Sequence, residues 1–431
     1  MAPTISPVQT STSMPKSTTV VVVGAGIVGL VTALNLIERG IPVVVLEKGR
    51  LAGEQSSRNL GWVRKTSRSA RDLPLAIESD RLWAGMNERV GGEVGYKPAG
   101  IMFLATSDAE LDVHRKWLAT TDGLSLDSRI ISPKEIDELV PGGRGGWTGG
   151  IYTPSDGRAE PTLASSAIAR AAMAKGVTIV ENCAVRELSL SGGKVSGVVT
   201  EKGEIRCEQV VLATGFWSRR FLGNMGIPLP MLPLICYGIR TAPMEGPTEI
   251  AVGAPNFSFR KRADGGYTIC QRGAVESPIV IDHALLGMRY LPVFRDGRKL
   301  LRITFGRAFV EDLMRARRWD GKSTTPFEKE RTLDPRVHAG INAEAMRNIR
   351  AAWPAFEAAK IEEEWGGWMD ITPDSLPVIC NLDRIPGLTL ATGFSGHGFG
   401  TAPAAGQLAA DLVTGARPIV DPTPYRIERL Q

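Results

Sequence analysis

The chain has 431 residues, which is too long for a single hydrophobic core and predicts two domains. Its charged fraction of 23% and formal net charge of +5 are ordinary for a soluble globular enzyme, and the scattered basic residues argue against nucleic-acid binding. The five cysteines are widely spaced and form no Cys-x-x-Cys pair, which predicts free thiols, a reducing cytoplasmic location and no metal site.

Residues 1–17 are rich in Ser, Thr and Pro, which predicts a disordered tail. A buried strand is predicted at Val20–Val23, a helix from Ile27 to Arg39, and a second buried strand at Val43–Leu46. A signal peptide or membrane anchor is disfavoured here because the apolar run is shorter than roughly 18 residues and contains glycines.

The turn after the first strand carries the pattern Gly-x-Gly-x-x-Gly. We expect Gly24 to form the tight turn, Gly26 to let the backbone approach a pyrophosphate, and Gly29 to let the helix pack on the strand. The helix N-terminus then directs its N–H groups at the phosphates. Glu47, at the end of the second strand, is placed to accept hydrogen bonds from a ribose hydroxyl. The segment therefore predicts a dinucleotide-binding fold.

The rest of the chain alternates between this fold and a second one. Gly49–Arg71 is predicted to be an ordered loop, and Arg71–Val90 and Glu160–Lys175 are predicted to be helical. Strands near residues 178, 210 and 389 extend the parallel sheet, so the dinucleotide fold is interrupted in sequence. From about 226 to 305, short alternating runs predict an antiparallel sheet in a second domain.

A second glycine-rich segment, Gly393–Gly400, leads into a helix predicted from about Thr401 to Val413. Glycines beside a helix start let backbone N–H groups close on an anionic ligand. If that ligand is a flavin, the helix N-terminus would stabilise the negative charge of the reduced ring. His397 has two interpretations, ordering of the loop and contact with the cofactor, and we favour contact without proton transfer. A weaker glycine turn lies at Leu212–Ser218.

Together these segments resemble the FAD-dependent amine and amino-acid oxidoreductases of the D-amino-acid oxidase type, which include sarcosine oxidases, glycine oxidase and D-amino-acid dehydrogenases. The resemblance extends from Thr18 to Gly415. The Ser-Arg-Asn loop and the Trp-Gly-Gly-x-x-Asp-x-Thr-Pro segment look most like gamma-glutamylputrescine oxidoreductase. The segments that carry the resemblance are Val22–Gly29 with Glu47, Ser56–Gly61, Leu212–Ser218, Trp365-Gly366-Gly367 with Thr372-Pro373-Asp374 and Pro377, and Gly393–Gly400.

The resemblance implies that the cofactor is FAD. The Ser57–Gly61 loop would lie along the pyrophosphate and flavin, Val185 would offer its backbone to the adenine, and Gly215 and Trp217 would close over the adenosine half. The expected FAD-binding residues are Gly24, Gly26, Ile27, Val28, Gly29, Glu47, Lys48, Ser56, Ser57, Arg58, Asn59, Leu60, Gly61, Val185, Thr214, Gly215, Trp217, Gly393, Gly396, His397, Gly398, Phe399, Gly400 and Thr401.

Two departures from the family pattern concern the substrate pocket. Monomeric sarcosine oxidases place a flavin-linking cysteine about six residues before Pro373, where this chain has Gly367, so we expect non-covalent FAD. Many D-amino-acid enzymes place a carboxylate-binding arginine where this chain has Met369. An amino-acid substrate would then need another donor, and the candidates are Arg64, Arg240, Arg260 and Arg272. The candidate pocket walls near the flavin are Trp62, Tyr267, Trp365 and Met369.

The resemblance also implies the reaction. A hydride equivalent passes from the carbon next to nitrogen to flavin N5, and the resulting imine hydrolyses in water. No catalytic acid or base is assigned, because a neutral amine supplies its own lone pair. Thr268 aligns with a lysine that promotes reaction with oxygen in the sarcosine oxidases, which favours a dehydrogenase. Two alternatives remain, a flavin subunit of a multi-subunit dehydrogenase and an NADPH-dependent flavin monooxygenase.

The expected architecture is a Rossmann-like α/β FAD-binding domain, interrupted in sequence (18–92, 151–225 and 370–431), and an α+β substrate domain with a mainly antiparallel sheet (93–150 and 226–369). Within the latter, 282–331 fits no family motif and is interpreted as a lid, an assembly or membrane contact, or a structural insertion. Its cluster Arg315-Ala316-Arg317-Arg318 is interpreted as a solvated helix face.

The expected partners are a small-molecule amine or amino acid and an electron acceptor, either oxygen or a quinone or carrier. The predicted location is cytoplasmic, with a peripheral contact to the inner face of the membrane left open. The oligomeric state is not predicted.

Overall fold

The computed structural model describes residues 3–430, without the side chains of residues 293 and 296. Its first sheet is parallel except for one antiparallel edge strand, so the expected α/β sheet assembled from distant segments is confirmed. From edge to edge, its strands are Val378–Asn381, Leu388–Thr392, Gln209–Leu212, Val20–Val23, Val43–Leu46 and Thr178–Val180.

The two faces of the central strand pack against different layers. Val20 and Val22 share a hydrophobic core with the helices Ile27–Glu38, Pro161–Ala174 and Gly398–Thr414. The alternate residues of the strand point the other way, because successive side chains of a strand lie on opposite faces. There they share a core with a three-stranded antiparallel sheet, whose strands are Val185–Ser191, Lys194–Thr200 and Gly203–Arg206.

The first glycine turn has the tight packing that the sequence pattern predicts. Gly24 has φ +105°, and a Cβ atom on it would lie 2.5 Å from the carbonyl oxygen of Ala213. A Cβ atom on Gly29 would overlap the carbonyl oxygen of Gly24 and lie 3.2 Å from Val22. Larger residues at these positions would therefore separate the helix from the sheet.

The prediction of a disordered tail over residues 1–17 is wrong for its described part, residues 3–17. The backbone N–H of Ser6 donates to Thr162, and that of Ser11 donates to Ile179 on the edge strand of the sheet. The side chains of Ile5 and Val8 pack against the core of the first domain. The polar composition hid this role because the segment covers a sheet edge with backbone hydrogen bonds.

A second, larger sheet is mainly antiparallel, as expected. The long strands Leu232–Thr241 and Ile361–Ile371 pair along their whole length. Two strand pairs of this sheet are parallel instead. Ala251–Gly253 pairs with Ile101–Ala105, and Val275–Pro278 pairs with Leu301–Thr304. The remaining strands of this sheet are Arg129–Ile131, Gly149–Thr153, Ser258–Lys261 and Tyr267–Cys270, and a separate two-stranded ribbon joins Trp62–Val63 to Gly157–Arg158. We propose the division into two domains because the strands fall into these two separate sheets.

The segment 282–331 forms short helices and one edge strand, Leu301–Thr304, of the large sheet. The prediction that Arg315–Arg318 form a solvated helix face is wrong, because the helix Arg307–Met314 ends just before them and Arg315 has an extended backbone. The other α-helices of the described chain are Leu73–Ala84, Met86–Val90, Asp108–Ala119, Pro133–Leu139, Ser218–Asn224, Ile281–Leu286, Leu291–Gly297, Pro326–Lys329 and Ala339–Ala352.

Across residues 3–430, no helix combines the length and the apolar character needed to span a membrane. The same part of the chain holds no group of three or more His, Cys, Asp or Glu side chains arranged for a metal ion. The five cysteines are free thiols, and Cys236 and Cys270 are the two that are only partly buried.

Candidate active site

Two helix N-termini open onto one elongated cavity between the two sheets. The helix Ile27–Glu38 begins after Gly26, and the helix Gly398–Thr414 begins after His397; neither has a side-chain cap. Both starts belong to the cavity wall. At each position the helix dipole and the N–H groups of the first turn favour a negatively charged group.

Glu47 is held at the carboxyl end of the second parallel strand. Its carboxylate accepts hydrogen bonds from the backbone N–H groups of Ala25 at 2.9 Å and Gly49 at 2.7 Å. Burial raises the pKa of Glu47 above its usual value, while Lys48 and these hydrogen bonds act in the opposite direction. The fixed carboxylate lies in the cavity wall, where a ribose hydroxyl can reach it.

The loop Ser56–Gly61 joins the first helix to the cavity. The hydroxyl of Ser56 accepts a hydrogen bond from the backbone N–H of Ile27 at 2.9 Å. The side chain of Asn59 accepts from the N–H of Gly61 at 2.8 Å and donates to two carbonyl groups of its own loop. These local bonds hold the loop in a single shape beside the helix N-terminus.

At the far end of the cavity, Trp217 is enclosed by charged groups. Its indole N–H donates to Glu54 at 3.2 Å, and the ammonium of Lys48 lies 4.6 Å from its ring centre. The guanidinium of Arg315 lies 5.4 Å from the same ring. Phe327, from the 282–331 segment, meets the ring edge-on, so this segment closes one end of the cavity.

The C-terminal glycine loop is tied to the long strand Ile361–Ile371 by Asp370. The Asp370 carboxylate accepts hydrogen bonds from Gln55 and from the backbone N–H of Gly393, both at 3.1 Å. Burial raises the pKa of Asp370 to about 6. A Cβ atom on Gly400 would lie 2.7 Å from the carbonyl oxygen of Trp62, so the loop contacts backbone there.

Beyond this loop, two guanidinium groups in the cavity wall lie close to one aromatic ring. Arg64 lies 5.5 Å and Arg272 lies 4.6 Å from the ring centre of Phe103. Among the described residues, neither arginine forms an ion pair; Arg64 donates to the Thr66 carbonyl and Arg272 to the Ala254 carbonyl. Burial, with Arg68 and Arg272 nearby, lowers the pKa of Arg64 to about 9, and burial lowers that of Arg272 to about 10.

The other two candidate arginines are already engaged elsewhere. Arg260 is fully buried and pairs with Glu160 at 2.6 Å and 3.0 Å. Arg240 pairs with acidic neighbours, including Asp264 at 3.1 Å. Neither residue belongs to the cavity wall, so only Arg64 and Arg272 of the four candidates reach it.

Residues 19–412 match the family described as DAO, FAD dependent oxidoreductase. The chain belongs to this family. It is 27% identical to glycine oxidase from Pseudomonas aeruginosa, over 94% of this chain and 97% of that protein.

Among solved structures, L-amino acid deaminase from Proteus myxofaciens in complex with anthranilate has a TM-score of 0.95 and 34% identity, over 100% of this chain and 97% of that one. L-amino acid deaminase from Proteus vulgaris with its specific insertion sequence deleted has a TM-score of 0.78 and 29% identity, over 97% and 96% of the two chains. The expected family, fold and FAD cofactor are thereby confirmed, and the protein is an FAD-dependent amine or amino-acid oxidoreductase.

The residues present fit FAD. Both uncapped helix N-termini and the carboxylate of Glu47 face a continuous cavity, and glycines stand where a Cβ atom would meet backbone. A Cβ atom on Gly367 would lie 3.2 Å from Arg58, so the backbone there packs closely against the Ser56–Gly61 loop.

Most of the expected FAD-binding residues come together in the cavity wall, while Gly29, Ser57, Gly393 and Thr401 lie behind it and support it. Those in the wall are Gly24, Gly26, Ile27, Val28, Glu47, Lys48, Ser56, Arg58, Asn59, Leu60, Gly61, Val185, Thr214, Gly215, Trp217, Gly396, His397, Gly398, Phe399 and Gly400.

The expected pocket walls are only partly placed as predicted. Trp62 and Met369 belong to the cavity wall. Tyr267 does not, because its side chain packs in the core behind the sheet, against Phe259 and Phe356. Trp365 does not either; its indole N–H donates to the Arg58 carbonyl at 3.0 Å and supports the loop from behind.

Several wall residues were not singled out from the sequence. Most of them come from strands of the large sheet or from the loop after Val63, where no motif marks them, and the last two lie inside the Gly393–Gly400 segment without having been named individually. They are Arg68, Phe103, Cys236, Tyr237, Cys270, Gln271, Trp368, Phe394 and Ser395.

Proposed function

We propose that this protein is an FAD-dependent deaminase of L-α-amino acids that passes electrons to a membrane-borne acceptor. The single observation that carries the proposal is the pair Arg64 and Arg272, which face the cavity without a carboxylate partner among the described residues. The likeness to L-amino acid deaminases of Proteus, at 34% identity over the whole chain, supports the same substrate class.

The arginine pair is suited to an α-carboxylate. A guanidinium presents parallel N–H donors that match a carboxylate in a two-bond geometry. Two neighbouring cations repel each other, which contributes to the lowered pKa of Arg64, and a bound carboxylate would offset that repulsion. Phe103, which lies close to both, presents an apolar ring to the substrate side chain.

When bound, FAD supplies the acceptor for the hydride from the α-carbon. The residues of the chain hold the substrate carboxylate, exclude water and leave the amine free. His397 does not supply a proton, since burial and the nearby Arg68 and Arg64 keep its pKa well below the usual value. The imine product then takes up water and releases ammonium, leaving the 2-oxo acid.

The electron acceptor is proposed from the residues at the flavin end of the cavity, which is the end opposite Trp217. Thr268 is buried and lies outside the cavity wall; its hydroxyl accepts from Arg262 at 3.2 Å. The lysine in the wall, Lys48, lies at the Trp217 end and donates to Glu54 at 2.8 Å. A lysine that would promote reaction with oxygen is thus absent from the described wall at the flavin end, which supports a quinone or carrier as acceptor.

The membrane is proposed from the surface of the 282–331 segment. Of the fourteen large apolar side chains exposed in the described chain, ten lie between Leu285 and Met314. The same stretch contains six arginine and lysine residues against three acidic ones. A segment that exposes apolar side chains and carries excess basic residues fits an anionic phospholipid membrane.

The test is an anaerobic titration of the purified holoprotein followed by its flavin spectrum. L-Phenylalanine and L-leucine are expected to bleach the flavin, while D-phenylalanine and 2-phenylethylamine bleach it much more slowly. Bleaching by the amine alone would contradict the amino-acid assignment. Reoxidation by a soluble quinone is expected to be faster than by oxygen, and the reverse order would make the protein an oxidase.

The two alternatives give different outcomes in the same preparation. A flavin monooxygenase would consume NADPH and would stay oxidised with every amino acid. A flavin subunit of a larger dehydrogenase would reduce with substrate only after a co-purifying partner is added.

A further inference from the structure

A second cleft lies apart from the candidate active site, with a volume of about 500 Å³. Its wall contains one acidic side chain, Asp282, and guanidinium groups from two distant parts of the chain. These belong to Arg219, Arg220, Arg317 and Arg318.

Two carboxylates offset three of these four cations. Asp282 accepts two hydrogen bonds from Arg219, at 2.6 Å and 2.8 Å, and one from Arg317 at 3.0 Å. Asp312 accepts from Arg317 at 2.9 Å and from Arg220 at 2.5 Å. Burial opposes ionisation of Asp282, but Arg219 and Arg317 outweigh it and lower its pKa to about 2. The two carboxylates are therefore fully engaged.

The cleft keeps unused donors and excess positive charge. Arg318 is exposed, has no carboxylate partner among the described residues, and donates to the carbonyl oxygen of Asn224 at 2.5 Å. Nη1 of Arg220 is buried and has no hydrogen-bond partner in the described structure, so this cation is paired through Nη2 alone. Four guanidinium groups against two carboxylates leave two positive charges, which a phosphate with its several acceptor oxygens can compensate.

The same two aspartates connect the cleft to the apolar surface. Asp282 lies on the short helix that exposes Leu285, and Asp312 lies on the helix that exposes Leu313 and Met314. The two helices whose carboxylates pair with the arginines of the cleft thus also carry exposed apolar side chains. A free phosphate ion gains nothing from this arrangement, whereas a phospholipid brings acyl chains alongside its phosphate.

We propose that this arginine cleft binds the phosphate group of an anionic phospholipid, with the acyl chains against the apolar surface between Leu285 and Met314. The proposal rests on the membrane contact proposed above and adds a specific headgroup site to it. Such a site would fix the orientation of the protein on the bilayer, in addition to the diffuse attraction of the segment's basic residues.

The test compares soluble ligands and vesicles on the holoprotein. Calorimetric titration with dihexanoylphosphatidic acid, below its micelle concentration, is run beside glycerol 3-phosphate and inorganic phosphate. The cleft variant is R318Q, which breaks no ion pair among the described residues. The matched control is R298Q, which removes one exposed charge from the same segment outside the cleft wall.

We expect R318Q to weaken binding of the short-chain lipid at least fivefold, and R298Q to change it less than twofold. Equal weakening by both variants would reduce the site to diffuse electrostatics and overturn the proposal. Inorganic phosphate binding as tightly as the lipid would overturn the lipid assignment in favour of a free anion. Absence of binding by every ligand would also overturn it.

Failure of this proposal is separable from failure of the proposed function. Reduction of the flavin by L-amino acids in detergent-free buffer needs no lipid, so it tests the deaminase assignment alone. Cosedimentation with neutral and anionic vesicles, using M314S as the apolar variant, tests the membrane contact alone. Intact cosedimentation with unchanged lipid titration in R318Q would leave the membrane contact standing and remove the headgroup site.

Discussion

Replacing Arg272 with methionine tests how the substrate carboxylate is held. Methionine keeps much of the side-chain volume over the ring of Phe103 but removes the guanidinium, which lies 4.6 Å from the ring centre and has no acidic partner among the described residues. A charge-assisted hydrogen bond contributes about 1.5 to 3 kcal/mol, so the dissociation constant for an L-amino acid should rise roughly 10- to 150-fold. Arg64 remains, so binding is weakened and not abolished.

The assay is anaerobic stopped-flow reduction of the flavin at increasing substrate concentration, which separates the dissociation constant from the limiting rate. L-Phenylalanine is compared with 2-phenylethylamine, which lacks the carboxylate, and with 3-phenylpropanoate, which lacks the amine and is followed by the flavin spectrum. R272M should weaken the binding of the two carboxylate ligands and leave the binding of 2-phenylethylamine almost unchanged. R240M removes an arginine outside the cavity and is the matched control.

Two results would refute the reasoning about Arg272. If R272M weakens the amine and the amino acid by the same factor, the side chain shapes the pocket and does not bind a carboxylate. If R240M has an equal effect, general positive charge and not local geometry controls binding. R272K should fall between the wild type and R272M, because lysine keeps the charge without the paired donors.

Three further predictions concern stability and the cofactor. The pKa of Asp370 in the folded protein is raised to about 6, so the folded wild type binds more protons than the unfolded chain between about pH 4 and 6. The Tm of the wild type should therefore rise relative to that of D370N as the pH falls from 8 to 5. A difference in Tm that does not change with pH would contradict this. G29A should lose FAD retention and about 1 to 3 kcal/mol of stability through overpacking, measured by denaturant unfolding. The control G223A has open space around the added methyl group and should fold and retain FAD. E160Q leaves the buried Arg260 unpaired and should cost about 3 to 5 kcal/mol in the same assay, with no change in the dissociation constant for L-phenylalanine; a changed constant would place Arg260 in the substrate site.

The cofactor half of the site could be predicted from sequence because its determinants are local. A tight turn at Gly24, close packing at Gly29 and a carboxylate at the end of the next strand are each set by a few consecutive residues. The same holds for the strands of the first sheet, whose continuous apolar runs mark burial on both faces. These features need no knowledge of the distant chain.

The substrate half could not be predicted in the same way because it depends on strand faces and on long-range pairing. Tyr267 and Thr268 are neighbours on one strand, so their side chains point to opposite faces of the sheet. A difference of one position therefore decides whether a side chain packs in the core, as that of Tyr267 does, or points to the other face. Cys236 reaches the cavity wall because its strand pairs with Ile361–Ile371, more than 100 residues later. Nothing in the local sequence around Phe103 marks it as a ring that two cations approach.

The four candidate arginines differ in whether the protein compensates their charge internally. Arg260 has a buried carboxylate with two hydrogen bonds, so its charge is satisfied by the fold and it can be explained as structural. Arg64 and Arg272 have carbonyl acceptors only, and each has a lowered pKa. Placing two guanidinium groups close to one ring without a described carboxylate partner costs stability in the free protein. We propose that this cost is offset when an anion enters the cavity, because the substrate brings the carboxylate that the fold does not supply.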